Sequence, residues 1–390
     1  MPKRNHEETE DNEPGILGSV SQIVDTLVDI EPDDLAKLLA HIANRAHLPN
    51  AAFKKARTDL PSFAATKWGR IAPQLGMQRD TLYLEPNYFE VWTTPSYHLP
   101  PSFQMSSFEK AWRWEDVHRE RTETWGQEMR IKFLDSYIDP IISLFQGRVI
   151  DQPEQSTQTK YSSGGDVANE FYMTGGILFL VVEAEHALDG KAISRLLLEL
   201  MSAAEMNMSN DFAGLKVHGL VTNVEQFQFY SYDYSANKFY FNERFFINNT
   251  RTMAYSDMIP VANKIFGIIL TAYMDGLRAS INNRTGKNTL YPSQSRLPVS
   301  LQVNSLEAAL TLAESCCAKF EEPAVNFQEL EDKADDALGS LTGSVRSIPR
   351  ASSYTGRGVD PSTSAELKVV ASCVIKKEYM GCLTKPKHQN

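Results

Sequence analysis

The stretch GGDVANEFYMTGGILFLVVEAEHALDG, residues 164–190, constrains this chain more than any other. NEFYMT and ILFLVVEAE are both rich in β-formers, and Gly175-Gly176 between them is a two-residue turn signal. The spacing predicts a β-hairpin whose second strand ends in two acids, Glu183 and Glu185. An acid at the end of so apolar a segment is costly unless something pairs with it or it reaches solvent. With Thr174 opposite Ile177, Glu170 faces Val181, Ala168 faces Glu183 and Asp166 faces Glu185. Side chains alternate faces along a strand. Asp166, Glu170, Glu183 and Glu185 therefore project from one face, with Ile177, Phe179 and Val181 as their companions nearer the turn. Like charges opposite one another repel. Such a cluster is tolerable if a divalent cation neutralises it, if a Lys or Arg reaches in, or if water surrounds it.

The flanking segments supply the rest of a fold. Residues 126–146 carry Met129, Phe133, Tyr137 and Phe145 at near-helical spacing, with Leu134, Ile138, Ile141 and Ile142 broadening the stripe. Pro140 is expected to kink that helix. A strand is expected at 148–151. After the hairpin, DGKAISRLLLELMSAAEMN predicts a helix started near Asp189, with Ile193, Leu196, Leu197, Leu200, Met201 and Ala204 on one stripe. LKVHGLVTN, QFQFYSYD and KFYFNERFFI read as strands, YSAN as a turn, and 251–282 as helix. A strand–helix–strand passage favours parallel neighbours. The predicted class is α/β (α+β), a mixed central β-sheet flanked by helices.

Residues 81–282 form the expected core domain. Within it, 81–125 is crowded with aromatics and prolines and predicts irregular, packed structure, with Trp112 and Trp114 alternating as in a short strand or a core anchor. Residues 1–14 are polar and acidic and expected to be disordered. Residues 15–80 form a helical N-terminal region, patterned by Val20, Ile23, Val24 and Leu27, then Leu35, Leu38, Leu39 and Ile42. Its basic residues Lys54, Lys55, Arg57, Lys67 and Arg70 read as a solvated face. Residues 283–390 hold helical patterns at 303–320 and 325–340, then a Ser- and Gly-rich flexible tail from 339.

Several classes are excluded by absence of their signatures. The chain has no G-x-x-x-x-G-K-[ST], G-x-G-x-x-G, G-x-S-x-G or H-E-x-x-H. None of its four cysteines, Cys316, Cys317, Cys373 and Cys382, lies in a Cys-x-x-Cys pair. No leader-like start and no long apolar run is present. The expected setting is intracellular, cytoplasmic or nuclear, with free thiols and no membrane partner. The formal charge of −10 argues weakly against nucleic acid as partner. Cys316-Cys317 reads as buried thiol, the ladder Phe227, Phe229, Tyr230 and Tyr232 as sheet packing, and His186 as a residue on the face away from the acids.

The order of elements, Asp166 and the Glu183-Ala184-Glu185 strand end resemble the PD-(D/E)xK nuclease-like superfamily. YSSGGDVANEFYMTGGILFLVVEAEH, with VWTTPSYHLP and FQFYSYD, resembles a group of basidiomycete fungal proteins that carry such a core. The likeness covers roughly residues 85–280. It implies a restriction-endonuclease-like core and hydrolysis of a phosphodiester in DNA, less so RNA. It further implies Mg²⁺ or Mn²⁺ held by Asp166 and Glu183; Glu170 reads first as an ion-pair partner in the sheet, and as a metal ligand only in place of Asp166. Hard cations prefer such oxygen ligands, and a held metal activates water. The family's third position, usually Lys, orients or deprotonates that water. Glu185 occupies it here, and Gly165 stands where the family has Pro. Lys191 and Arg195 are the nearby cations that would supply the missing charge. Three readings follow: a Mg-dependent nuclease; a catalytically silent nuclease-derived fold that binds nucleic acid or protein; and a scaffold whose termini recruit partners.

Overall fold

A computed structural model describes residues 62–348, apart from 64–66, 76, 81–83, 119–124, 152–158, 160–161, 163, 166, 168, 174–175, 211, 213, 249 and 288–298, and also Ser372. The chain divides into two units, Met1–Asp59 and Leu60–Asn390, and every described residue belongs to the second. The helical patterns at 15–46, most of the basic cluster, Asp166, Ala168, Thr174 and Gly175, and nearly all of the tail beyond 348 lie outside the described residues.

Among the described residues, seven strands form one mixed sheet. They are β1 (Glu90–Val91), β2 (Val149–Asp151), β3 (Asn169–Met173), β4 (Ile177–Ala184), β5 (Lys216–Thr222), β6 (Gln226–Asp233) and β7 (Lys238–Phe246), in the spatial order β1-β7-β6-β5-β4-β3-β2. Helices α1 (Trp68–Ile71), α2 (Pro101–His118), α3 (Gln127–Ser143), α4 (Gly190–Ser209), α5 (Arg251–Lys287), α6 (Val299–Glu321) and α7 (Phe327–Ser347) cover its faces. The α/β class is therefore shown, and the core order helix, strand, hairpin, helix, strand runs from α3 to β5 as the pattern predicts. β4 and β5 are parallel, as their α4 connection requires; β2–β3, β3–β4, β5–β6 and β6–β7 are antiparallel.

Every residue of β4 is buried, which explains its unbroken apolar run. One face of the sheet packs Phe179, Leu180, Val182, Leu220, Phe227 and Phe229 against α3 and α5, and α6 and α7 extend the same core beyond α5. The other packs Leu178, Val181, Val217, Val221, Tyr230 and Tyr232 against α4 and the segment from Phe63 to Phe89. α4 begins where predicted: the Asp189 carboxylate caps it, accepting from the amides of Lys191 and Ala192 at 2.9 and 3.0 Å. Its other end is tied to β4 by Asn207, which accepts from Leu178 N–H at 2.9 Å and donates to Leu178 O at 2.6 Å.

The hairpin register differs from the count made at the turn. Met173, not Thr174, pairs with Ile177, and Gly176 takes φ +85°, donating its N–H to Met173 O. That displacement is then reversed by a bulge: Tyr172 pairs with Leu178 but Phe171 with Leu180. Beyond the bulge Glu170 pairs with Val181, as expected. The bulge also interrupts the alternation. Ile177 and Phe179 face the α5 side, so the apolar companions of Val181 on the α4 side begin with Leu178.

Two further expectations are corrected. Pro101 to His118 is one helix, not irregular structure. Pro101 stands where a missing N–H costs nothing, and no other Pro or Gly interrupts the run. Trp112 and Trp114 thus lie on different sides of α2. Trp112 lies 3.8 Å under the Arg251 guanidinium, and Trp114 packs edge-on against Trp125. The segment just before, Trp92 to Pro100, is irregular and packed as expected. Asn242 accepts from Thr94 N–H, Asn263 accepts from Leu99 N–H, and the buried Lys264 amine donates to Thr94 O. Helix α3 contains Pro140 and runs on to Ser143. Helix α7 continues to Ser347, into the stretch read as flexible tail. Ala334, Ala337, Leu341 and Val345 supply a buried stripe at helical spacing that the Ser and Gly content hides.

Candidate functional site

Glu183 is the penultimate residue of β4, paired with Val221, and Glu185 N–H carries the ladder one step further to Thr222 O at 2.8 Å. Glu183 shares its face with Val181 and so points at α4. There it meets Arg195, one turn into that helix. The guanidinium donates from Nη2 to Glu183 Oε1 at 3.2 Å, from Nη1 to Glu185 Oε1 at 3.1 Å, and from Nε to Glu199 Oε1 at 2.9 Å. Three carboxylates converge on one cation through all three of its nitrogens.

The cluster is dry. Side-chain exposure is 0% for Glu183 and 1% for Glu199, rising to 14% for Arg195 and 27% for Glu185 at the outer end of the cluster. Burial works to lower the Arg195 pKa, but Glu183, Glu199 and Glu185 outweigh it and hold the guanidinium firmly charged. Three acids against one cation leave an excess of negative charge. Glu199 absorbs part of it: burial and then the adjacent Glu183 carboxylate push its pKa well above the usual carboxylate range, against the opposing pull of Arg195. A proton on Glu199 removes one of the two excess negative charges, and the other is left to the partly exposed end of the cluster at Glu185.

Each predicted site residue can now be placed. Glu183 and Glu185 come together as the hairpin pattern implies. Glu170 shares the α4 face but is held elsewhere: Tyr172 Oη donates to its Oε2 at 2.6 Å. Burial raises the Glu170 pKa, the Tyr172 hydrogen bond opposes that, and Asp151 adds to it. Lys191 is exposed on the first turn of α4 and makes no ion pair among the described residues. Of the two candidate cations, Arg195 is the one that reaches in. Asp166 lies outside the described residues. His186 is on the far side, as expected, with its Nδ1 2.8 Å from Nη2 of Arg130 on α3. Glu199 was missed by sequence reasoning. Its signal was the Glu inside RLLLEL, four residues after Arg195 on an otherwise apolar stripe.

A hard divalent cation would require several oxygen ligands at this place. Glu183 and Glu199 offer the right oxygens, but their Oε1 atoms already accept from Arg195. Among the described residues no three acidic, histidine or cysteine side chains are grouped to hold a metal ion. Among the described residues, moreover, no helix is long and apolar enough to cross a membrane. No family model, no curated protein and no solved structure matches the chain.

Proposed function

We infer that this chain is a nuclease-derived fold that binds without cleaving, its acid cluster closed by an internal guanidinium instead of a metal ion. One observation carries the inference: Arg195 bonds to Glu183, Glu185 and Glu199 at once. A buried guanidinium in that place neutralises the carboxylates that a divalent cation would otherwise have to neutralise. Glu185 at the usual Lys position fits the same reading, since a second acid there accepts from Arg195 where a Lys would repel it. The restriction-endonuclease-like core remains part of this proposal, supported by the order of elements from α3 to β5 and the acid-ended β4. The net charge of −10 favours a protein partner over DNA or RNA. An intracellular setting, cytoplasmic or nuclear, suits the free thiols of Cys316 and Cys317.

The test uses the full chain beside Glu183→Gln and Arg195→Ala, incubated with supercoiled and linear DNA in Mg²⁺ or Mn²⁺. No cleavage by the wild type, and no saturable Mn²⁺ uptake in a calorimetric titration, are the expected results. Metal-dependent cleavage by the wild type that Glu183→Gln abolishes would overturn the proposal in favour of a Mg-dependent nuclease.

A further inference from the structure

A second feature lies at the other side of the sheet. β7 is an edge strand for most of its length. β1 pairs with it only at Tyr240 and Phe241, and Trp92 N–H adds one bond to Phe241 O. The preceding chain then turns toward α5, where the Lys264 amine takes Thr94 O. From there to Phe246, β7 has β6 on one side and, among the described residues, no strand on the other.

The ladder determines which backbone groups are left over. Phe246 pairs with Gln226, and the next amide, Ile247 N–H, donates inward to Glu225 O at 2.7 Å. Inward and outward bonding alternate along a strand. The N–H and C=O of Phe246 and Arg244 therefore face the open edge. Among the described residues no backbone hydrogen bond from outside the sheet reaches them. Both side chains share one face, with the Arg244 guanidinium 5.9 Å from the Phe246 ring centroid. Phe246 is 67% exposed. Arg244 forms no ion pair with a described residue, and its Nε is buried without an acceptor. Natural sheets blunt such edges with charge, Pro or cover. Here the adjacent residue Glu243 points to the opposite face and pairs with Lys264 at 3.1 Å.

We propose that the β7 edge at Arg244–Phe246 takes an extended peptide of a partner protein by strand addition, an acidic side chain resting on Arg244 and an apolar one on Phe246. Outward backbone groups match a peptide strand, which a nucleic acid cannot mimic. A half-buried guanidinium without a counter-charge selects an acid. The exposed ring selects an apolar neighbour two residues away on the same face. A single acid is tolerated by a chain of net charge −10, whereas a polyanion is repelled. This inference rests on the reading of the chain as a binding module and names its partner class.

The experiment follows fluorescence anisotropy of a short labelled Thr- and Val-rich peptide with a single Glu-Thr-Val at its centre, its Lys-Thr-Val counterpart, and a short single-stranded oligonucleotide, each titrated with the full chain. Two variants accompany it, Arg244→Gln and Phe246→Pro. The proline removes only an outward N–H, so no ladder bond to β6 is lost, and circular dichroism checks that the fold is kept. The acidic peptide is expected to bind saturably, about tenfold more weakly to Arg244→Gln, as for loss of one charged hydrogen bond, and not at all to Phe246→Pro. Absence of saturable binding by the wild type, equal binding by all three proteins, or displacement of the peptide by the oligonucleotide each overturns the proposal. DNA cleavage would refute the silent-fold reading separately, because it depends on Glu183 and not on this edge.

Discussion

Replacing Arg195 by Met isolates what the guanidinium does. The change keeps an unbranched apolar stem and removes three ion pairs at once. Glu199 already holds its proton tightly, so the charge left uncompensated is chiefly that of Glu183, which has no exposure to water. Neutralising it at pH 7 from an unfolded pKa near 4.3 costs about 3.7 kcal/mol, roughly 2.7 units at 1.36 kcal/mol each. Removing one partner of a buried pair typically costs about 3–5 kcal/mol, so two independent routes agree. Glu185 is left out because water screens it. The cost is set by protonation and falls by about 1.4 kcal/mol per pH unit, to about 1 kcal/mol at pH 5. Urea unfolding followed by tryptophan fluorescence at both pH values reads the difference. Adding Glu183→Gln to Arg195→Met is expected to restore most of the loss at pH 7. A penalty below about 1 kcal/mol at pH 7, or one equal at pH 5 and 7, refutes the claim that Arg195 neutralises buried charge.

Two further outcomes concern the other face of the sheet. His218 is buried with its Nδ1 2.9 Å from Ser231 Oγ, and burial, then Lys216 and Lys264, push its pKa down to about 3. The folded value lies below the unfolded one near 6.5, so this group removes stability as pH falls from about 6.5 toward 3, by up to about 1.4 kcal/mol per unit. Imidazole nitrogen shifts are expected to report a neutral ring at pH 5; a charged ring there refutes the assignment. Gly267 on α5 has no room for a side chain, because a Cβ would overlap Pro95 O, whereas Gly339 on α7 faces open space. Gly267→Ala is expected to cost about 3 kcal/mol through displaced backbone, and Gly339→Ala to stabilise by up to about 1 kcal/mol. Equal urea midpoints for the two variants would contradict this packing.

How much was legible beforehand varied with the kind of signal. Helix α4 was readable at both levels, from its apolar stripe and from Asp189, because a cap and a 3.6-residue period are local properties. β4 was readable from its apolar run. α2 was not, because its aromatic crowding and flanking prolines suggested irregularity, and only packing of Trp114 and the Trp112–Arg251 stack show what those residues do. The strand pairing of Glu170 with Val181 came out as counted only because a longer turn and a bulge displace the register in opposite directions.

The sequence alone determined that two acids end the most apolar strand and that some cation or water must meet them, since burying uncompensated charge is prohibitive whatever the fold. It offered two candidate cations four residues apart, Lys191 and Arg195, and could not choose. The tertiary structure chose, because one turn of α4 turns Lys191 to solvent and lays Arg195 over the strand end. It also added Glu199, whose role depends on a helix face meeting a sheet face. Such juxtapositions depend on packing between distant segments, which no local pattern encodes.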